Sequence, residues 1–156
     1  MRRVLVLDST PLSLLAHPDL RRPDVQGIQA WLEEHFRCRS VVYLPEITDY
    51  EVRRELLRAN KLRSLRRLDF LARRVIYLPL DTPTLRRAAE LWAHARTVGH
   101  VTASPEALDA DVILAAQAES VGATMVTENV SHLAFFGPAD RWQNLPTQAT
   151  DESAQR

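Results

Sequence analysis

Short, uninterrupted apolar runs alternate along this chain with longer segments of helical periodicity, and this alternation limits the possible folds more than any other feature. The apolar runs cover residues 4–7, 41–44, 75–78 and 123–127. Strands that are apolar on both faces are typical of a parallel sheet with helices packed on each side. We therefore predict an α/β fold of three α/β/α layers, with a central parallel sheet of four or five strands.

The segments between these runs have the spacing of amphipathic helices. Helices are predicted over residues 24–36, 46–58, 62–74, 83–97 and 105–121, with a short helix over 131–136. Residues 8–11 are predicted to form a turn after the first strand, because Asp, Ser and Pro favour turns. A fifth strand is predicted at the edge of the sheet, over residues 142–145.

Length and composition indicate one folded domain. The chain has 156 residues, of which 46% are apolar and 26% charged, and this balance excludes disorder along the whole length. We expect a single domain over residues 1–146 and a flexible tail over residues 147–156. The single Cys38 excludes a disulfide scaffold. No apolar run reaches about 18 residues, so we expect a cytoplasmic protein that spans no membrane.

Positive charge is concentrated in one segment, although the formal net charge of the whole chain is zero. Residues 53–74 contain nine Arg or Lys and only two acids, a net charge of +7. Such a segment in an otherwise acidic chain either is a solvated helical face or binds a polyanion. The candidates for contact with substrate phosphates are Arg53, Arg54, Arg58, Lys61 and Arg63. An acidic protein segment would compete for the same arginines, because carboxylates pair with Arg as phosphates do.

Polar side chains collect where the predicted strands end, which is where open parallel sheets bind ligands. They are Asp8 after the first strand, Glu46 and Glu51 after the second, Asp109 and Asp111 near the start of the Ala-rich helix, and Thr127 and Asn129 after the fourth strand. Converging carboxylates repel one another unless a cation lies between them. Mg²⁺ or Mn²⁺ suits an all-oxygen site and can activate water for attack on phosphorus.

Two of these acidic positions have alternative interpretations. Thr48 and Glu51 fit a capping box if the helix begins at Thr48, whereas a start directly after the second strand leaves Glu51 free to reach a metal. Asp109 and Asp111 both face the site only if Asp109 caps its helix, because residues two apart inside a helix point to different sides. We favour Glu51 as a metal ligand, and of the pair we favour Asp111 because an unbroken apolar run follows it at once. Glu46 and Asp109 are kept as secondary candidates.

Four segments together resemble the PIN-domain ribonucleases, of the kind found as VapC-type toxins. They read VLVLDST, EITDYEVRREL, DADVILAAQA and ATMVTENVSHL, in this order. The first resembles the family's opening strand, which ends in its first aspartate, here Asp8, and the second carries the family's glutamate, here Glu51. The third begins the helix with the third acid, here Asp111. The fourth has Thr127 followed by the position of a fourth acid or Asn, here Asn129.

The resemblance implies an activity and a set of partners. It implies an endonuclease dependent on Mg²⁺ or Mn²⁺ that hydrolyses RNA phosphodiesters, with Asp8, Glu51 and Asp111 holding the metal. Thr127 and Asn129 would then order the surroundings of these ligands. A homodimer and, for the toxin of a type II toxin–antitoxin pair, a cognate antitoxin that blocks the site are also implied.

One position departs from the family pattern. Many members have Asp where this chain has Asn129, and an amide oxygen can ligate a hard cation but contributes no charge. This keeps open a catalytically inactive PIN-like module that binds RNA or protein. A metal-dependent phosphohydrolase acting on small phosphate esters is a further alternative, disfavoured because the chain has no Gly-rich phosphate loop. The histidines show no zinc-ligand spacing, and among them His132 could assist near the predicted site.

Overall fold

The computed structural model describes residues 2–100 and 104–147, and within these ranges it shows a parallel sheet surrounded by helices. The strands are β1 (Val4–Leu7), β2 (Val41–Pro45), β3 (Ile76–Leu78), β4 (Thr124–Val126) and β5 (Ala139–Asp140). The helices are α1 (Ser9–Leu15), α2 (Pro23–Arg37), α3 (Glu46–Arg58), α4 (Leu62–Arg74), α5 (Thr82–Thr97), α6 (Pro105–Ser120) and α7 (Val130–Leu133). No helix in the described part of the chain is long and apolar enough to cross a membrane. The predicted tail lies outside the described residues except for its first residue.

All five strands are parallel, in the order β3-β2-β1-β4-β5. The first strand therefore lies at the centre, where Leu7 of β1 pairs with Val126 of β4. The chain builds one half of the sheet outward from β1 and then returns to add β4 on the other side. The direction in which strands are added reverses between the neighbours β1 and β4, which makes this place a topological switch point. Open α/β sheets bind ligands at the carboxyl ends of such strands.

Residues of β1 alternate between two hydrophobic cores on opposite faces of the sheet. Leu5 and Leu7 are fully buried in the core formed with α1, α2, α3 and α4. Val6 is fully buried in the second core, to which α6 contributes Leu114. Helix α5 packs against α6 through Ala88. These two cores confirm the predicted three-layer α/β/α architecture with a central parallel sheet.

The predicted turn over residues 8–11 is wrong, because β1 leads directly into α1. Asp8 is the N-cap of this helix, and its carboxylate accepts a hydrogen bond from the Ser9 N–H at 2.7 Å. Pro11 fits in the first helical turn, where the N–H that proline lacks would have no intrahelical partner. The same residue types favour turns and helix starts, so the local sequence did not distinguish between them.

The predicted edge strand over residues 142–145 is also wrong. The edge strand is β5, and Trp142–Asn144 form a 3-10 helix after it. The Trp142 ring packs instead over α2, where its centroid lies 6.4 Å from that of Trp31. A Cβ added to Gly27 would lie 3.0 Å from the Trp142 ring, so glycine permits this approach. The apolar character of this segment therefore serves packing against a helix.

Candidate active site

Asp8 lies at the carboxyl end of β1, and neighbouring elements on both sides hold it in place. Its backbone N–H donates to the Val126 carbonyl at 3.0 Å, which continues the pairing of β1 with β4. Its Oδ1 accepts from the Ser9 N–H at 2.7 Å, and its Oδ2 accepts from the Thr127 hydroxyl at 2.7 Å. Hydrogen bonds from the protein to both carboxylate oxygens therefore set the orientation of Asp8 before any ligand binds.

Glu51 approaches Asp8 from the second turn of α3. This helix begins at Glu46 and has no side-chain cap, so the capping-box alternative is not what the structure shows. The Glu51 Oε1 atom accepts a hydrogen bond from the Ser9 hydroxyl at 3.0 Å. Burial raises the pKa of Glu51, the Ser9 hydrogen bond opposes this shift, and the charge of Asp8 adds to it. Ser9 therefore joins two carboxylates by donating its backbone N–H to one and its hydroxyl to the other.

Asp111 is the third carboxylate near this point. Helix α6 begins at Pro105, so Asp109 and Asp111 both lie inside the helix and point to different sides. Burial raises the pKa of Asp111 to about 7, with further contributions from the charges of Asp8 and Glu51. Asp109 is exposed and lines a groove between α5 and α6. Only Asp111 of this pair is brought near the other two acids.

Glu46, a secondary metal candidate from the sequence, has a structural partner. Its Oε2 accepts a hydrogen bond from the Leu80 N–H at 2.6 Å. It lines a pocket at the β2–β3 side of the sheet together with Asp49 and Tyr77. This contact ties the segment after β3 to the start of α3, and it gives Glu46 an anchoring role.

Thr127 and Asn129 follow β4, and they contribute in different ways. Thr127 is 1% exposed, and its hydroxyl donates to Asp8 while accepting from the Asn129 N–H at 3.0 Å. Asn129 stands at the N-cap position of α7, but its exposed side chain makes no capping hydrogen bond. The Thr127 hydroxyl therefore orients Asp8, and the Asn129 amide is available to a ligand.

A histidine of α7 contacts Asp111. The Nε2 atom of His132 lies 2.8 Å from Oδ2 of Asp111, and this histidine side chain is 3% exposed. Burial lowers the pKa of His132. The sequence showed His132 shortly after the fourth strand, but the two residues lie on different helices. No spacing rule in the sequence predicts this contact.

The three acids have the chemistry of a divalent-cation site. Carboxylate oxygens are the ligands that Mg²⁺ and Mn²⁺ prefer, and a cation would relieve the repulsion among Asp8, Glu51 and Asp111. Within residues 2–100 and 104–147, however, no group of three or more His, Cys, Asp or Glu side chains is already placed to hold a metal ion. The residues therefore fit a cation in donor type and charge, and binding would require these side chains to move closer together.

The five candidates for phosphate contact in the basic segment differ in whether an acid pairs with them. Arg53 forms an ion pair with Asp69 at 2.8 Å, and Arg58 forms one with Glu55 at 2.8 Å. Arg58 is nevertheless exposed, as are the three candidates for phosphate contact without such an ion pair: Arg54, Lys61 and Arg63. Of these, Arg54 is near enough to Glu51 for its charge to oppose in part the rise in the pKa of that acid. Arg54 thus places positive charge beside the acids.

Comparisons with known proteins identify a family. The family model of the PIN domain matches residues 5–133, which is most of the chain. No curated protein matches the sequence at a significant level.

Solved structures of low sequence identity share the fold. A chain of VapBC2 from Rickettsia felis, in a complex with a DNA fragment from its promoter, is 14% identical, with a TM-score of 0.69 over 89% of this chain and 98% of that chain. A chain of VapBC-1 from nontypeable Haemophilus influenzae is 17% identical, with a TM-score of 0.66 over 90% and 98% of the two chains. A chain of FitAcB from Neisseria gonorrhoeae is 22% identical, with a TM-score of 0.58 over 89% and 98%. These similarities concern the fold.

Proposed function

The chain belongs to the PIN domain family, and we propose that it is a divalent-metal-dependent endoribonuclease that hydrolyses RNA phosphodiester bonds. The observation that carries this proposal is the approach of Asp8, Glu51 and Asp111 at the carboxyl end of the central strand, where their charges act on one another. Partly buried carboxylates that repel one another oppose folding, so their presence favours a functional role.

Residues around the acids have positioning tasks in the proposed reaction. Mg²⁺ or Mn²⁺ held by Asp8, Glu51 and Asp111 would supply positive charge that activates water and offsets the charge developing at phosphorus. The Thr127 hydroxyl and the Ser9 N–H each hold one oxygen of Asp8. The Ser9 hydroxyl holds Oε1 of Glu51 and leaves Oε2 free to turn toward a ligand.

Exposed positive charge beside the acids suits an RNA substrate. A polyanion approaching three carboxylates is repelled unless cationic side chains contact its phosphates. We assign phosphate contact chiefly to the exposed Arg54, Lys61 and Arg63. Arg53 and Arg58 are already paired with acids, so we expect them to contribute less.

We further propose that the protein is the toxin of a type II toxin–antitoxin pair. The similar chains come from complexes named VapBC and FitAcB. On this proposal the protein acts in the cytoplasm as a homodimer, and a cognate antitoxin blocks the site.

Metal-dependent cleavage is the direct test of the proposed function. Purified protein, free of any antitoxin, should cleave members of a mixed set of folded and unstructured RNAs in Mg²⁺ or Mn²⁺, and cleavage should stop in EDTA. Equal cleavage in EDTA would contradict the proposal. Turnover of a chromogenic phosphomonoester without RNA cleavage would indicate a small-molecule phosphohydrolase.

A non-cutting PIN-like module is the second candidate. It is favoured by Asn129, which adds no negative charge, and by the separation of the three acids within the described residues. A folded protein that binds RNA but does not cleave it when saturated with Mn²⁺ would establish this alternative.

Loss of the Thr127 hydroxyl should slow RNA cleavage without unfolding the protein. Thr127→Val removes the donor to Asp8 Oδ2, and a hydrogen bond to a charged group contributes about 1.5–3 kcal/mol. If this full amount is lost in the transition state, single-turnover cleavage falls roughly 10- to 150-fold. Thr127→Ser keeps the hydroxyl and should stay close to wild type. Equal rates in the two variants would show that the hydroxyl has no role.

A further inference from the structure

We propose that His132 is a positioning residue that fixes the carboxylate of Asp111 for the reaction, an inference that rests on the proposed function. The contact is direct, with His132 Nε2 at 2.8 Å from Asp111 Oδ2. It joins two elements that are distant in the chain, because Asp111 lies on α6 and His132 on α7. The structure thus gives the third acid a protein contact, as Ser9 and Thr127 do for the other two.

The His132 ring is held by aromatic neighbours on two sides. The ring of His100 stacks on it, with centroids 5.1 Å apart and an angle of 7° between the planes. The ring of Phe136 meets it edge-on, with centroids 5.7 Å apart and an angle of 83°. Phe135 in turn stacks on His100 at 3.9 Å. Because the ring is buried and enclosed, its Nε2 atom presents a fixed contact to Asp111.

The carboxylate gains a fixed orientation from this contact. With Oδ2 of Asp111 against the imidazole, Oδ1 remains for a ligand shared with Asp8 and Glu51. A carboxyl group without such a contact rotates freely about its last bond. It loses this rotational freedom when it binds a ligand, and the entropy cost weakens the binding. Residues that orient metal ligands typically change metal affinity or activity by 10- to 100-fold when they are replaced.

The test compares variants of His132 with a control at another buried histidine. His132→Ala removes the contact, and His132→Gln keeps an N–H donor on a side chain of similar reach. His35→Gln is the control, because His35 is also fully buried and bonds to Ser40 and the Leu145 carbonyl. Mn²⁺ affinity of the full chain is measured by calorimetry, and kcat and KM are measured with RNA.

We expect His132→Ala to weaken Mn²⁺ binding by roughly 10- to 100-fold and to lower kcat while KM for RNA stays unchanged. His132→Gln should recover most of the lost affinity. His35→Gln should lower the melting temperature yet bind Mn²⁺ as the wild type does. The proposal is overturned if His132→Ala binds Mn²⁺ and cleaves RNA as the wild type does, or if His35→Gln weakens Mn²⁺ binding equally.

A metal-free measurement separates this proposal from the proposed function. In EDTA, melting temperatures of His132→Ala, Asp111→Ala and the double variant should be non-additive, because the two side chains touch. Additive shifts in melting temperature would show that the two side chains do not interact, and this would overturn the proposal. If the wild type neither binds Mn²⁺ nor cleaves RNA while the shifts remain non-additive, the proposed function fails and the positioning role fails with it, although the contact stands.

Discussion

The Asp8→Asn variant should remain folded, and its rate of RNA cleavage should fall by about a thousandfold or more. The substitution removes one negative charge from the end of β1, where Asp8 faces Glu51 and Asp111. A metal ion contributes several kcal/mol of charge stabilisation in such reactions, and each 1.36 kcal/mol corresponds to a tenfold change in rate. The variant therefore binds the cation more weakly and also lacks one ligand charge, and both effects lower the cleavage rate.

The fold should survive this change because Asn suits the structural role of Asp8. Asn is as favourable at an N-cap as Asp, and its amide oxygen can accept one of the hydrogen bonds that Ser9 and Thr127 donate. Asp19→Asn is the matched control, since Asp19 pairs with the exposed Arg21 in the loop after α1. Cleavage by Asp8→Asn at the rate of the control would remove Asp8 from the site and point to a contaminating nuclease.

The sheet and most helices could be predicted because their signals are local and periodic. The helices over residues 46–58 and 62–74 have the predicted ends, since amphipathic spacing and the apolar runs beside them agree. The turn predicted at residues 8–11 failed because Asp followed by Ser, Thr and Pro suits both a turn and a capped helix. The strand predicted at residues 142–145 failed because an apolar segment can also pack on a helix.

The sequence pointed to Asp8 and Glu51 by their positions after strands and to Asp111 by the resemblance to the PIN family, whereas the contacts that hold these acids were not predicted. Ser9 bridges two carboxylates only because β1 leads into a helix, which the sequence interpretation missed. His132 meets Asp111 through the packing of α7 beside α6, and Glu46 turns to the Leu80 N–H in a segment far along the chain. Such contacts depend on tertiary packing, which periodicity and turn propensity do not encode.

Asp111→Asn should stabilise the metal-free protein near neutral pH by up to about 4 kcal/mol. Burial and the charges of Asp8 and Glu51 raise the pKa of Asp111 from 3.8 to about 7 in the folded state. Its side chain is 20% exposed, so solvent screens this penalty only in part. The neutral amide avoids the cost of an ionised carboxyl group in this position.

The pH dependence of this gain follows from the sign of the shift. Below about pH 4 the Asp111 carboxyl is protonated in both the folded and unfolded states, and the variant should gain little. Between that pH and about 7, the unfolded chain releases the proton first, so the stability of the wild type falls as pH rises. Above this range the gain should be constant. His132 adds no positive charge against this penalty at neutral pH, because burial lowers its own pKa.

Chemical denaturation in EDTA from pH 4 to 8 measures the free energies of unfolding of wild type and Asp111→Asn, and thus the difference between them. Asp109→Asn is the control, because the same change is made two residues away at an exposed position of α6, and it should leave stability unchanged at every pH. Added Mg²⁺ should then stabilise the wild type and not Asp111→Asn, since a ligand that binds only the folded state shifts the unfolding equilibrium. If the difference in the free energy of unfolding between wild type and Asp111→Asn did not vary with pH, the proposed repulsion among the three acids would be contradicted. This repulsion destabilises the fold only when Asp111 is ionised.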